Sequence, residues 1–205
     1  MSLDAQKPVA VIKTNRGDIN IELAEAKLKA LAARLEEHPD DEDLAQRHET
    51  ARTELLELQS TEYAERVAKY PTDRFRKFDL GRVQYALGLY DEAMAQFQNA
   101  KDEPKLHARA AQMLGRCFMA ERWFGEAIAE FREALQALEI TDKDRELEVR
   151  YDLMVALMDQ AADERSGDYA REAKELCSDI ARKNITYRDI RQKRREIDDL
   201  IKDVG

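Results

Sequence analysis

Leu80-Gly81 recurs as Leu114-Gly115, Ala93 as Ala127, Phe97 as Phe131 and Ala100 as Ala134, each pair 34 residues apart. Four matches at one spacing constrain the fold more than anything else in this chain, because that period belongs to a repeated helix-turn-helix unit. One such unit cannot bury its apolar face alone. Neighbours must stack and share a core, which leaves a long surface for partners. The repeat therefore points towards binding rather than chemistry.

Composition agrees with helix throughout. The 205 residues include only 7 Gly and 4 Pro, and 38% are charged. Ala, Leu, Glu, Lys and Arg are strong helix formers. The formal net charge of −9 argues against nonspecific nucleic-acid binding. Cys117 and Cys177 lack metal-ligand spacing and fall on inward-facing helix positions, as buried thiols of a reducing, cytoplasmic compartment would. No run of about 18 apolar residues predicts a membrane-spanning helix. Residues 1–13 lack the charged flank and apolar centre of a secretory leader.

Residues 1–17 read as an extended or poorly ordered start, with Val9-Ala10-Val11-Ile12 followed by a turn-like Asn15-Arg16-Gly17-Asp18. The stretch from Val11 to Leu23 resembles the opening hairpin of cyclophilin-type prolyl isomerases, but nothing downstream continues it. Residues 18–71 predict a long antiparallel helical hairpin of coiled-coil type. Ile21, Ala24, Leu28, Leu31 and Leu35 form one stripe, with Asp18 as its cap. His38-Pro39-Asp40-Asp41 makes the break, Asp40 caps the second helix, and Pro71 ends it.

Residues 72–182 form the repeat region, in units of about 74–107, 108–141 and a divergent 142–182. Thr72 or Asp73 caps the first. Gly88-Leu89-Tyr90-Asp91-Glu92 is the turn of the first unit, and Trp123-Phe124-Gly125-Glu126 follows that of the second. The small residues Gly81, Ala93, Gly115 and Ala127 allow helix axes to approach to about 8–10 Å, and Phe97, Phe118 and Phe131 fill the space between pairs. In the third unit Leu153 and Ala173 are further apart than Leu80 and Ala93, so longer helices should flank a turn at Glu164-Arg165-Ser166-Gly167. Residues 183–205 form a C-terminal capping helix, with Ile190, Ile197, Leu200 and Ile201 on one face.

This pattern of Leu-Gly, small residue and aromatic resembles the tetratricopeptide repeat (TPR) family, in a bacterial-type arrangement with an N-terminal helical hairpin. The fold class implied is all-α: an antiparallel helical hairpin, then a short TPR-type α-solenoid, then the capping helix. In that family the first helix of each unit lines a concave groove. The positions carried over are Phe78, Arg82 and Tyr85, then Arg109, Gln112, Arg116 and Met119, then Tyr151, Val155 and Met158. Three arginines and two tyrosines suit an acidic peptide or protein segment. The Lys and Asn clamp of the chaperone-binding members is missing, and the alternative is that the arginines pair with Asp79, Asp152 or Asp159.

His38, His48 and His107 have no partner at ligand spacing, and no phosphate cradle or nucleophile elbow occurs. No metal, cofactor or catalytic residue is expected, and the chain reads as a noncatalytic interaction scaffold. Two alternatives stand beside that reading. One is self-assembly through the N-terminal hairpin. The other is an RNA- or membrane-surface adaptor using Arg188, Arg191, Lys193, Arg194 and Arg195, although Asp189, Glu196, Asp198 and Asp199 interleave with or follow these cations.

Overall fold

A computed structural model describes residues 6–139 and 141–204, with side chains from Arg16 onward in the first helix. Among the described residues the chain is all-α, with nine helices and no strand. It divides into two compact units, Met1–Leu89 and Tyr90–Gly205.

The first unit holds α1 (Gln6–Glu37), α2 (Glu42–Lys69) and α3 (Arg74–Ala86). α1 packs on α2, and α2 on α3. Leu31, Leu44 and Ala51 make the hairpin core, with Leu28 and Leu35 against them. Asp41, one residue beyond the expected Asp40, caps α2 by accepting the Leu44 N–H at 2.9 Å. Asp73 caps α3 by accepting the Arg76 N–H at 3.1 Å. Each such cap contributes about 1 kcal/mol.

The expected extended start is corrected by the structure. Residues 6–17 are helical, and residues 1–5 lie outside the described residues. Asp18 is therefore interior to α1 and caps nothing; it pairs with Arg66 of α2. Gly17 is buried, and a Cβ there would run into the Glu62 carboxylate. Gly17 thus lies inside a helix beside the Glu62 side chain, and not at a turn.

The second unit holds α4 (Tyr90–Ala100), α5 (His107–Ala120), α6 (Phe124–Ala137), α7 (Lys143–Glu164), α8 (Gly167–Lys183) and α9 (Ile190–Val204). Each packs on the next, and the alternate helices α5, α7 and α9 also touch in sequence. The core joins Ala127, Phe131 and Ala134 to Val149, Leu153 and Leu157, then to Ala173, Cys177, Ile180, Ile190 and Ile197. α5 approaches α6 closely at Gly115, where a Cβ would stand 2.7 Å from the Phe131 ring. Burying a ring the size of Phe131 stabilises by roughly 1.5–3 kcal/mol. Lys101 ties α4 to α6 through Glu130 at 2.7 Å and Glu133 at 2.8 Å.

The 34-residue spacing reappears in the backbone. At the end of α3 the N–H groups of Leu87, Gly88 and Leu89 donate to Val83, Tyr85 and Gln84. At the end of α5 those of Glu121, Arg122 and Trp123 donate to Cys117, Met119 and Phe118, the same set 34 residues later. Both ends are Schellman caps, which need a left-handed residue. Gly88 at φ 77° and Arg122 at φ 62° supply it. Trp123 also stacks on Phe118 at 5.7 Å, the hydrophobic contact that accompanies this motif. Arg165, at φ 51°, ends α7, and the next N–H, of Ser166, donates to Ala161.

Candidate functional site

Gln112 and Arg116 lie one turn apart on α5, as Glu148 and Asp152 do on α7, so each pair shares a face of its helix. The α5 and α7 contact brings these faces together. Arg116 donates from Nε to Asp152 Oδ2 at 2.8 Å and from Nη2 to Glu148 Oε1 at 2.7 Å. Gln112 donates from Nε2 to Asp152 Oδ2 at 2.9 Å and accepts from Arg145 Nη1 at 3.4 Å. Asp142, the cap of α7, accepts from Arg145 Nε at 3.1 Å.

The turn before α9 closes the cluster. Arg188, at φ 44°, places its guanidinium 3.6 Å from Asp152 Oδ1 and 3.7 Å from Glu148 Oε1. It also lies 4.6 Å from the Tyr151 ring centre and 5.3 Å from that of Tyr187, within cation–π range. Tyr151 donates its hydroxyl to Asp189.

These contacts set the ionisation. Burial pushes Glu148 up, but the Arg116 hydrogen bond and the charges of Arg116, Arg188 and Arg145 outweigh it, and its pKa falls below the ordinary carboxylate value. Burial would lower the Arg116 pKa, yet Asp152 and Glu148 hold it above its usual value. Burial and the Asp189 bond raise the Tyr151 phenol, so it remains a donor. The cluster is a mixed-charge surface that supplies its own counterions.

The carried-over positions separate accordingly. Gln112, Arg116 and Tyr151 belong to this cluster, and Gln112 is only 2% exposed. Met119, Val155 and Met158 are half-buried against the apolar core of the second unit. Arg109 is half-buried on α5. In the first unit Arg82 is exposed and Tyr85 half-buried on α3. Phe78 is corrected: at 3% exposure it is a core residue with Leu80 and Val83, and it lines no surface.

Glu148, Asp152, Arg188 and Asp189 were not singled out as groove residues by the sequence. Asp152 entered only as a candidate partner for an arginine, which is the role it takes with Arg116. Of the basic C-terminal residues, Arg188 joins the cluster and Lys193 pairs with Glu196 at 2.8 Å. The thiols offer no nucleophile: Cys117 and Cys177 are buried, and desolvation pushes Cys117 up to about 12. Among the described residues no group of His, Cys, Asp or Glu could hold a metal ion, and no helix is long and apolar enough to cross a membrane. No protein-family model and no curated protein matches this chain.

Proposed function

We propose that this chain is a noncatalytic cytoplasmic scaffold of TPR type, and that a peptide or protein segment docks on the face shared by α5, α7 and the start of α9. The observation that carries the reading is the cluster of Arg116, Tyr151 and Arg188, held from behind by Gln112 and Asp152, which brings two guanidinium groups and an aromatic ring together from α5, α7 and the turn before α9. Adaptable Met119 and Met158 lie on the same two helices. Asp152 and Glu148 neutralise Arg116, which offsets the attraction for an acidic partner expected from the sequence. The surface suits a segment that offers both charges.

Arg188→Gly tests this reading. Glycine keeps the left-handed backbone at no steric cost while the guanidinium is lost. Partner capture should fall with helix content unchanged. If Arg188→Gly captures the same partner at the same level, this face is not the docking site.

A second reading is self-assembly through the N-terminal hairpin. It is favoured by Ile19 and Leu23, neighbouring apolar side chains on α1 that are 54% and 65% exposed.

A further inference from the structure

α1 is apolar on two opposite sides. Ile21, Leu28, Leu31 and Leu35 follow the side that meets α2, where Ile21 and Leu31 are buried and Leu28 and Leu35 pack against the hairpin core. Ile19, Leu23, Ala26, Ala30 and Ala33 follow the other, in alternating steps of four and three. At 3.6 residues per turn the two stripes lie about 180° apart. All five residues of the second stripe are exposed. Solvated faces of long helices are ordinarily polar, and a four-three apolar repeat is the seam along which helices wind around one another.

We propose that this stripe is a homotypic interface, on which α1 of a second copy of the chain packs antiparallel. The proposal rests on the self-assembly reading and specifies its face and orientation. Side-chain size selects the orientation. The large residues, Ile19 and Leu23, occupy the N-terminal half of the stripe, and the alanines occupy the C-terminal half. Antiparallel pairing sets Leu23 against the partner's Ala26 and Ile19 against the partner's Ala30, so large meets small at both of these pairs and their symmetry mates. Parallel pairing stacks large on large at one end and leaves alanine facing alanine at the other, and a constant interhelical distance cannot satisfy both.

Charge selects the same orientation. In the antiparallel register Glu22 flanks the seam beside the partner's Lys29, and symmetry repeats the attraction. Parallel pairing sets Glu22 beside the partner's Lys27 but Lys29 beside the partner's Arg34, so one attraction is offset by one repulsion. Lys27, the remaining cation of the seam, is held by Glu54 of α2 at 2.9 Å.

Sedimentation velocity on the full chain, from about 1 to about 200 μM, tests the proposal. The mass should double reversibly with concentration. Leu23→Glu should weaken dimerisation by about tenfold or more without loss of helix content, because that side chain is exposed and outside the core. Glu22→Lys alone should weaken it, and Glu22→Lys with Lys29→Glu should restore it. A monomer throughout overturns both the interface and the self-assembly reading. A dimer indifferent to Leu23→Glu overturns this interface and leaves assembly to another face. Failure of the double exchange to restore dimerisation overturns the antiparallel orientation.

Discussion

Gly88 and Arg122 do the same job with different side chains. Both close a Schellman cap at positive φ, and only glycine does so without steric cost. In return Arg122 gains a 3.9 Å approach to Asp163 between two largely exposed groups, which contributes little, and a cation–π contact 5.2 Å from the Phe124 ring centre, worth about 0.5–1 kcal/mol. Arg122→Gly should therefore stabilise the chain only slightly, by about 0.5 kcal/mol or less, after the larger unfolded-state entropy of glycine and the lost ring contact are counted. Gly88→Ala should destabilise by about 0.5–1 kcal/mol, although a Cβ there meets nothing within 4 Å. Thermal melts of both variants measure the pair of effects, and shifts of the same sign would show that left-handed strain does not govern these turns. The contrast between the sites was hidden in the sequence, because an arginine carries no mark of positive φ. It appears only when residue 122 is read as the repeat of residue 88.

Among the elements, those tied to the 34-residue period were the most legible. Leu-Gly and the small-residue positions locate α5 and α6, and Gly115 lies against Phe131 as a tight crossing requires. Gly115→Ala should cost about 1–2 kcal/mol, since strain against a fully buried ring exceeds the roughly 1 kcal/mol gained in helix propensity. Gly125→Ala is the control: it meets nothing within 4 Å and should be neutral or slightly stabilising. Equal destabilisation in urea melts of the two variants would argue against a tight crossing at Gly115. Less legible was the start of α1, where Pro8, Gly17 and a β-branched run imitate extended chain and a turn. The helix runs through them nonetheless, and Asp18 becomes a partner for Arg66 of α2. Glu148, Asp152 and Asp189 were missed as site residues for a different reason. They belong to the divergent third unit and the turn before α9, where no period shows which of many acids faces α5.

At the scale of the molecule, the sign of each carboxylate shift decides the response to acid. In the second unit Glu133, Glu146, Glu148, Glu196 and Asp198 all have pKa values below their ordinary ones. For Glu133, Glu146, Glu196 and Asp198 the largest cause is a hydrogen bond from a lysine, whereas for Glu148 burial is the largest single cause and is outweighed by the Arg116 bond together with the charges of Arg116, Arg188 and Arg145. A carboxylate whose pKa is depressed on folding adds stability that is complete above its unfolded value and lost as pH falls through its folded one. Glu130 and Asp159 have the opposite sign, because burial raises both. They oppose folding while ionised, and protonating them relieves that cost before the ion pairs begin to fail. The thermal midpoint should therefore be level or slightly higher between about pH 7 and 5, and should drop below about pH 4.5 as the depressed groups protonate. Glu148→Gln isolates one contribution. It removes the charge that Arg116 meets at 2.7 Å, so it should lower stability at pH 7 by about 1 kcal/mol or less. It should also make the acid limb shallower, because one group that must be protonated is gone. A wild-type midpoint that rises steadily down to about pH 3, or a Glu148→Gln chain with an unchanged acid limb, would show that the carboxylates are not held by these pairs in solution.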